Sequence, residues 1–228
     1  MIIAHRGIHD NKKIPENSIL SFKEAINNNY PIEFDISITK DDKLIIFHDE
    51  NLYRMTKLNK LVKDTNYNEL KSLKLLDTNE LIPTFKEVLN LVDGKVFLDI
   101  EVKHTNKTKK IVDLVIKELS NYKGNYSLKS FSPMIVKEFK KRNLNFKIGH
   151  LLTDEANNIF FNLYVKLKLF KFLKPDFLAL DKKLIPKYYK KYKDKYPLYI
   201  YTTEGIKDSM NYSKKYRGII CISNNLEK

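Results

Sequence analysis

Short apolar runs alternate with longer amphipathic stretches along the chain. Nine runs read as strands: residues 2–5, 32–38, 44–48, 95–103, 126–131, 146–152, 176–180, 198–202 and 218–222. Between most of them, apolar positions recur at three- and four-residue spacing, as one face of a helix requires. Residues 18–28 carry Leu20, Phe22, Ala25 and Ile26. Residues 83–92 open at Pro83, a residue suited to the first helical turn, and stop at Asp93-Gly94. Residues 109–119 place Ile111, Leu114, Val115 and Leu119 on one stripe. Residues 133–141 follow Ser132, a candidate N-cap, and residues 207–216 precede the last strand. Such alternation builds an α/β fold with parallel strands. A chain of 228 residues accommodates one TIM-type (β/α)8 barrel, near the lower end for that fold.

Nine strands are one too many for eight. The runs 32–38 and 44–48 are too close for a helical crossover, which takes a dozen or more residues. They form a hairpin turning at Asp41-Asp42. With a two-residue turn, position i pairs with 83 − i and Asp35 faces His48. Residues 50–81 are then a small insertion after the second strand region, with short helical pieces, since 67–76 have helical spacing. No tandem repeat, low-complexity linker or composition break divides the chain, so a single domain over 1–228 is expected.

Composition narrows the picture modestly. Apolar residues make up 43% of the chain, enough to fill a core, and disorder is not the default. Lys and Arg number 42 against 28 Asp and Glu, a net charge of +14 that suits phosphate esters, nucleic acid or acidic lipid. Solubility and a lysine-rich composition explain the same number. The one cysteine, Cys221, rules out an intrachain disulfide and sits in an apolar run, as a small core residue would. The first residues lack the apolar region of a signal peptide, and no apolar stretch reaches the length of a membrane span. A cytoplasmic location is the expectation.

Chemistry concentrates in four places. In Glu33-Phe34-Asp35 both carboxylates face one side of a strand while Ile32, Phe34 and Ile36 face the other. Two carboxylates on a buried strand need compensation, either lysines or a hard cation such as Mg2+ or Ca2+. In Leu98-Asp99-Ile100-Glu101-Val102-Lys103, Asp99, Glu101 and Lys103 face the barrel axis near the strand's C-terminal end, where TIM barrels keep their active sites. His5 ends the first strand beside Arg6 and Gly7, and His48 ends the hairpin beside Asp49. Two imidazoles near a carboxylate cluster supply the acid and base that phosphodiester cleavage needs. Arg6 adds a forked phosphate donor.

The ordered series His5-Arg6-Gly7, Pro15-Glu16-Asn17-Ser18, Phe22, Ala25, Glu33-x-Asp35, Thr39-x-Asp41, His48-Asp49, Arg54-x-Thr56 and Ile82-Pro83-Thr84 resembles the signature of glycerophosphodiester phosphodiesterases over the first third of the chain. Residues 98–103 look like that family's next motif, and Ser130-Phe131, Gly149 and Leu151 resemble a later one. The resemblance implies a TIM barrel that hydrolyses glycerophosphodiesters to glycerol 3-phosphate and an alcohol with one divalent cation, Mg2+ or Ca2+. It implies Glu33, Asp35 and Glu101 as metal ligands, His5 and His48 as the general acid/base pair, and Arg6 and Lys103 on the phosphate. It further implies attack by the substrate's own glycerol hydroxyl, giving a cyclic phosphate that water opens.

The C-terminal part departs from the family pattern. Glu204 stands where an asparagine is usual and Ile222 where an aspartate is, which points to altered specificity; Tyr201 still offers an aromatic wall. Glu16 and Asn17 are expected to shape the loop above the site, and Asp49 to orient His48. His9, His104 and His150 are expected to be bystanders or packed residues. Residues 163–173 mix lysines with Tyr164, Phe170 and Phe172, a composition suited to weak association with an anionic membrane surface and equally to a helix packed on the barrel. One rival reading is a cytoplasmic lysophospholipase D-like enzyme, marked by an apolar groove beside the metal ligands. The other is a non-catalytic polyanion-binding barrel; no recognisable nucleic-acid motif supports specific nucleic-acid binding.

Overall fold

A computed structural model describes residues 1–142, 145–153, 164 and 169–226. Among these, nine strands follow one another: β1 (Ile2–His5), β2 (Ile32–Ile38), β3 (Leu44–Ile46), β4 (Leu98–Val102), β5 (Tyr126–Ser130), β6 (Lys147–Leu152), β7 (Phe177–Asp181), β8 (Leu198–Glu204) and β9 (Ile220–Asn224). All but β3 pair in parallel. β1 pairs with both β2 and β9, so the eight strands close into a TIM-type barrel. Among the described residues the α-helices are α1 (Ile19–Asn27), α2 (Tyr53–Thr56), α3 (Tyr67–Leu70), α4 (Phe85–Val92), α5 (Thr108–Leu119), α6 (Pro133–Lys141), α7 (Ile185–Tyr192) and α8 (Gly205–Lys215). Among the described residues no helix is long and apolar enough to cross a membrane.

Local chemistry starts α1 and α4 near where the pattern predicts, whereas Ser132 stands at the N-cap position of α6 without a side-chain capping bond. Ser18 caps α1 by accepting from Ser21 N at 3.0 Å. Thr84 caps α4 in a reciprocal box with Glu87, and Asp93 ends that helix at φ 44°. The strand pattern also holds. Ile32, Phe34, Ile36, Leu98, Ile100 and Val102 turn outward into a core shared with α1, α4 and α5. Phe34 sits between Phe22 and Phe85, with ring centres 5.6 and 6.1 Å away. Truncating so large a ring typically costs about 3–5 kcal/mol.

The barrel interior is divided. On one side Ile3, Leu151, Phe177, Ala179, Tyr199 and Ile222 form an apolar plug, with Phe177 stacked on Tyr199 at 4.4 Å. Gly149 makes room for it, since a Cβ there would lie 2.2 Å from the Phe177 ring. On the other side β2, β4 and β5 turn Glu33, Asp35, Asp99, Glu101 and Lys129 inward, all buried.

The structure differs from the sequence reading in three local features. Ile36 pairs with Ile46 and Ile38 with Leu44, so the hairpin register is one residue off and Asp35 lies level with Phe47. The cause is a three-residue loop: Thr39 N donates to Lys43 O at 3.0 Å, and Asp42 takes φ 63° before the strand resumes. In the segment 67–76 only Tyr67–Leu70 is helical; the chain then turns back so that Leu75 N reaches Glu80 O. Helix α7 was not predicted because its buried side is written largely in tyrosine, Tyr188 and Tyr192, rather than in aliphatic residues. Between β3 and α4, Leu52, Met55, Val62 and Leu70 pack against Ile45 and Phe47 as a separate cluster.

Candidate active site

The C-terminal ends of β1, β2 and β4 lie side by side, with His5 level with Glu33 and Asp35 level with Glu101. Oxygen atoms of Glu33, Asp35 and Glu101 lie within 4.8 Å of one another, and all three side chains are buried. Burial pushes the Glu33 carboxyl above its usual range. Burial acts the same way on Asp35, but Lys103, His48 and Arg6 around it, with a bond from Asn17, hold it well below. Asn17 Nδ2 donates to Asp35 at 2.9 Å, and its own Oδ1 is buried without a partner. Three clustered carboxylates beside an unsatisfied amide oxygen form an all-oxygen donor set, the kind that Mg2+ and Ca2+ select. The residues fit such an ion.

Cations surround this cluster. Lys103 Nζ lies 2.8 Å from Glu101 and 3.5 Å from Asp35. Arg6 Nε lies 3.5 Å from Asp35, while its Nη1 bonds Glu16 at 2.7 Å. Arg6 has φ 56° and Asn17 φ 54°, a backbone region that L residues enter rarely and that here turns both side chains toward Asp35. Gly7 must be glycine: φ is 79°, and a Cβ would fall 2.6 Å from Ser21 Oγ.

The two histidines are held differently. His5 Nδ1 donates to Asn224 Oδ1 at 2.6 Å, and its Nε2 lies 3.9 Å from Glu33. Burial, with Arg6 adjacent, lowers the His5 pKa to about 4. His48 Nδ1 bonds Asp49 Oδ1 at 2.7 Å. Asp49 and Glu16 both accept from Arg54, which joins Arg6, Glu16, Arg54, Asp49 and His48 in one chain of contacts. Burial alone would raise Glu16, but the bonds from Arg54 and Arg6 bring it down to about 2.

Two cavities meet at His48, Glu101 and Phe131. One, of about 230 Å³, lies over the carboxylates and is walled by Leu151, Tyr201 and Ile222. The other, of about 360 Å³, runs between β2, the segment around Val62 and the turn after β4, with Ile38, Leu61, Val62 and Phe131 as apolar walls.

The model of the glycerophosphoryl diester phosphodiesterase family matches residues 5–202. The chain belongs to this family. It is 35% identical over 164 residues to a glycerophosphodiester phosphodiesterase of Caldanaerobacter subterraneus subsp. tengcongensis, covering 66% of each chain. It is 38% identical over 113 residues to one of Bacillus altitudinis, covering 46% of this chain and 45% of that one. The matched part thus spans less than two thirds of these relatives. Among solved structures, a Thermotoga maritima glycerophosphodiester phosphodiesterase superposes with TM-score 0.73 at 25% identity, covering 97% of this chain and 93% of that chain. An Oleispira antarctica phosphodiesterase solved with sn-glycerol-3-phosphate shares the fold, with TM-score 0.82 at 20% identity and 98% and 92% coverage.

Within this family member the seven site residues predicted from sequence, His5, Arg6, Glu33, Asp35, His48, Glu101 and Lys103, all lie at one end of the barrel. His150 is packed, bonded to Ser130 O and Tyr164 Oη, and burial lowers its pKa to about 4. His104 lines the larger cavity near Ser132. Three residues escaped the sequence reading. Arg54 carries no role in the motif Arg54-x-Thr56, although an arginine five residues after Asp49 is a signal for an ion pair. Lys129 lies buried between the carboxylates of Glu33 and Asp99. Asn224 holds His5 because β9 extends two residues beyond the predicted strand end, which also puts Ile222 in the apolar plug. Glu204 contacts Asn224 and Asn225 rather than standing free at the rim. Of the stretch 163–173, residues 163 and 165–168 lie outside the described residues; Phe170 is buried and Phe172 is 83% exposed.

Proposed function

We propose that this protein hydrolyses glycerophosphodiesters to glycerol 3-phosphate and an alcohol. The observation that carries the reading is the meeting of three buried carboxylates with two histidines whose Nδ1 atoms are already engaged. Glu33, Asp35 and Glu101 would hold one divalent cation, Mg2+ or Ca2+, which when bound supplies Lewis-acid stabilisation of phosphoryl charge. Arg6 and Lys103 bind phosphate oxygens beside it.

The partners of the histidines divide the proton work. His5 is held by a neutral amide and stays unprotonated at pH 7, so its Nε2 accepts the proton of the attacking hydroxyl. His48, backed by the Asp49 carboxylate, gives a proton to the departing alcohol oxygen. With the glycerol hydroxyl as nucleophile, the first product is a cyclic phosphate. His48, now a base, then takes a proton from water and His5 returns one to the ring oxygen. The smaller cavity, beside His5, Glu33 and Glu101, would take the glycerol phosphate, with Tyr201 as its aromatic wall.

One observation favours a second substrate class. The larger cavity has apolar walls and opens beside His48 and Glu101, as a lysophospholipid substrate would require. A rat protein named lysophospholipase D is 31% identical to the chain over 127 residues, covering 40% of that protein. A cytoplasmic location belongs to the same proposal, supported by the single, buried Cys221. So does weak contact with an anionic membrane surface, supported by the exposed Phe172 beside Lys171 and Lys174.

Release of glycerol 3-phosphate from glycerophosphocholine, with and without EDTA and in a His48→Ala variant, tests the reading. Metal-dependent release that the variant lacks is expected. Release from lysophosphatidylcholine but not from glycerophosphocholine selects the second class, and release from neither overturns both.

A further inference from the structure

The barrel floor contains an ion pair that the proposed chemistry does not use. Lys129 is 2% exposed on β5, and its Nζ is shared by two carboxylates, Asp99 and Glu33, the latter at 3.1 Å. Asp99 is fully buried on β4, and its second oxygen accepts from Ser127 Oγ at 2.7 Å. A lysine paired with Asp99 alone would already be compensated. The ammonium also reaches across to β2, to Glu33 of the metal-ligand cluster, which lies level with Asp99 in the sheet.

Glu33 is thereby held at both oxygens. Lys129 takes Oε1, while Oε2 accepts from Arg6 N at 3.3 Å and lies 3.9 Å from His5 Nε2. A buried glutamate has three side-chain torsions to fix, and a ligand is only as well placed as the groups behind it. Asp35 is positioned by Asn17 and Glu101 by Lys103, both from the rim. For Glu33 the support comes sideways through the sheet, from Asp99 on β4 and from Ser127 and Lys129 on β5.

We propose that Lys129, anchored by Asp99, is a positioning residue that fixes the Glu33 carboxylate for divalent-cation binding. The inference rests on the metal-site reading above. It differs from a purely structural ion pair in what its removal does to metal affinity.

Single removal of Lys129 strands two buried carboxylates and endangers folding. The charge-balanced pair Lys129→Met with Asp99→Asn avoids this. It removes one positive and one negative charge, so the net field at the cluster changes little and the positioning effect is isolated. Mg2+ and Ca2+ affinity is measured by calorimetry on the wild type and on the double variant, with thermal unfolding as the check on folding. Glycerophosphocholine turnover is followed in parallel.

The expected result is a folded double variant whose divalent-ion affinity falls about 10–100-fold, the range typical for loss of a ligand's supporting contact. Its turnover then recovers substantially at saturating metal. A folded variant with affinity within about twofold of the wild type overturns the proposal. If the double variant does not fold, the nitrogen resonance of the buried Lys129 ammonium in the wild type decides: a shift on adding Mg2+ supports the contact, and an unmoved resonance overturns it. A wild type that binds neither ion refutes the metal-site reading itself, an outcome distinct from a Lys129 failure in a wild type that binds.

Discussion

His5 and Asn224, 219 positions apart in the chain, are joined by a 2.6 Å hydrogen bond from the imidazole Nδ1 to the amide oxygen. The contact exists because β1 and β9 are adjacent in the closed barrel, with Ala4 level with Ser223. It fixes the tautomer of His5 and leaves Nε2 facing the carboxylates. Glu204 accepts from Asn224 Nδ2 at 3.3 Å and sets which end of the amide faces His5. Replacing Asn224 by Leu should lower kcat about 10–100-fold with little change in unfolding temperature, by analogy with other orienting partners of a catalytic or ligating histidine. Steady-state kinetics and a melting curve on the same preparation check this.

Arg54 ties the two halves of the site together, since it bonds both Asp49 behind His48 and Glu16 behind Arg6. Its planar fork meets each of the two carboxylates with two nitrogens, a doubly bidentate geometry that a single ammonium cannot imitate. Arg54→Ala should reduce kcat/KM at least about tenfold, and Arg54→Lys should recover only part of that loss. Equal activity of the lysine variant and the wild type would show that charge alone suffices.

Three histidines are kept neutral by burial. The pKa values of His150, His5 and His9 are lowered to about 4, in each case chiefly by desolvation. In the unfolded chain each takes up a proton near pH 6.5. Between pH 6.5 and 4 the unfolded chain therefore binds protons that the folded one does not, and stability falls as pH falls through that window. His150 alone should contribute a loss of roughly 2–3 kcal/mol between pH 7.5 and 4.5. Urea unfolding at both pH values should show a smaller loss in His150→Gln, which cannot titrate.

The apolar plug of the barrel is packed to the limit at Gly149. A methyl group there meets the Phe177 ring at 2.2 Å, so Gly149→Ala should destabilise by about 1–3 kcal/mol. Adding Phe177→Leu should restore part of it, because the clash is with that ring. Additive losses in a double-mutant cycle would contradict this packing.

Much of the site was legible because strand periodicity is strict. Alternation along Glu33-Phe34-Asp35 and Asp99-Ile100-Glu101 predicts which side chains face the axis, and the structure agrees. The hairpin was legible in existence but not in register, since the bond from Lys43 N to Thr39 Oγ1 and the turn at Asp42 lengthen the loop by one residue. His48 still lines the cavity over the carboxylates, with Glu33 and Glu101, because it lies beyond the paired part of β3, where register no longer dictates direction. Lys129 and Asn224 were hidden for another reason. A lysine in a strand normally faces water, and an asparagine near a chain end reads as a turn; the lateral order β2–β4–β5 brings Lys129 to Glu33, and the pairing of β1 with β9 brings Asn224 to His5.

Metal dependence is read from glycerol 3-phosphate release by EDTA-treated protein as Mg2+ or Ca2+ is added back, in the wild type and in Asp35→Asn. Saturable restoration in the wild type and its absence in the variant are predicted. Full release in the presence of EDTA, or equal release by Asp35→Asn, would contradict the assignment of the Glu33, Asp35 and Glu101 cluster as the metal site of a phosphodiesterase.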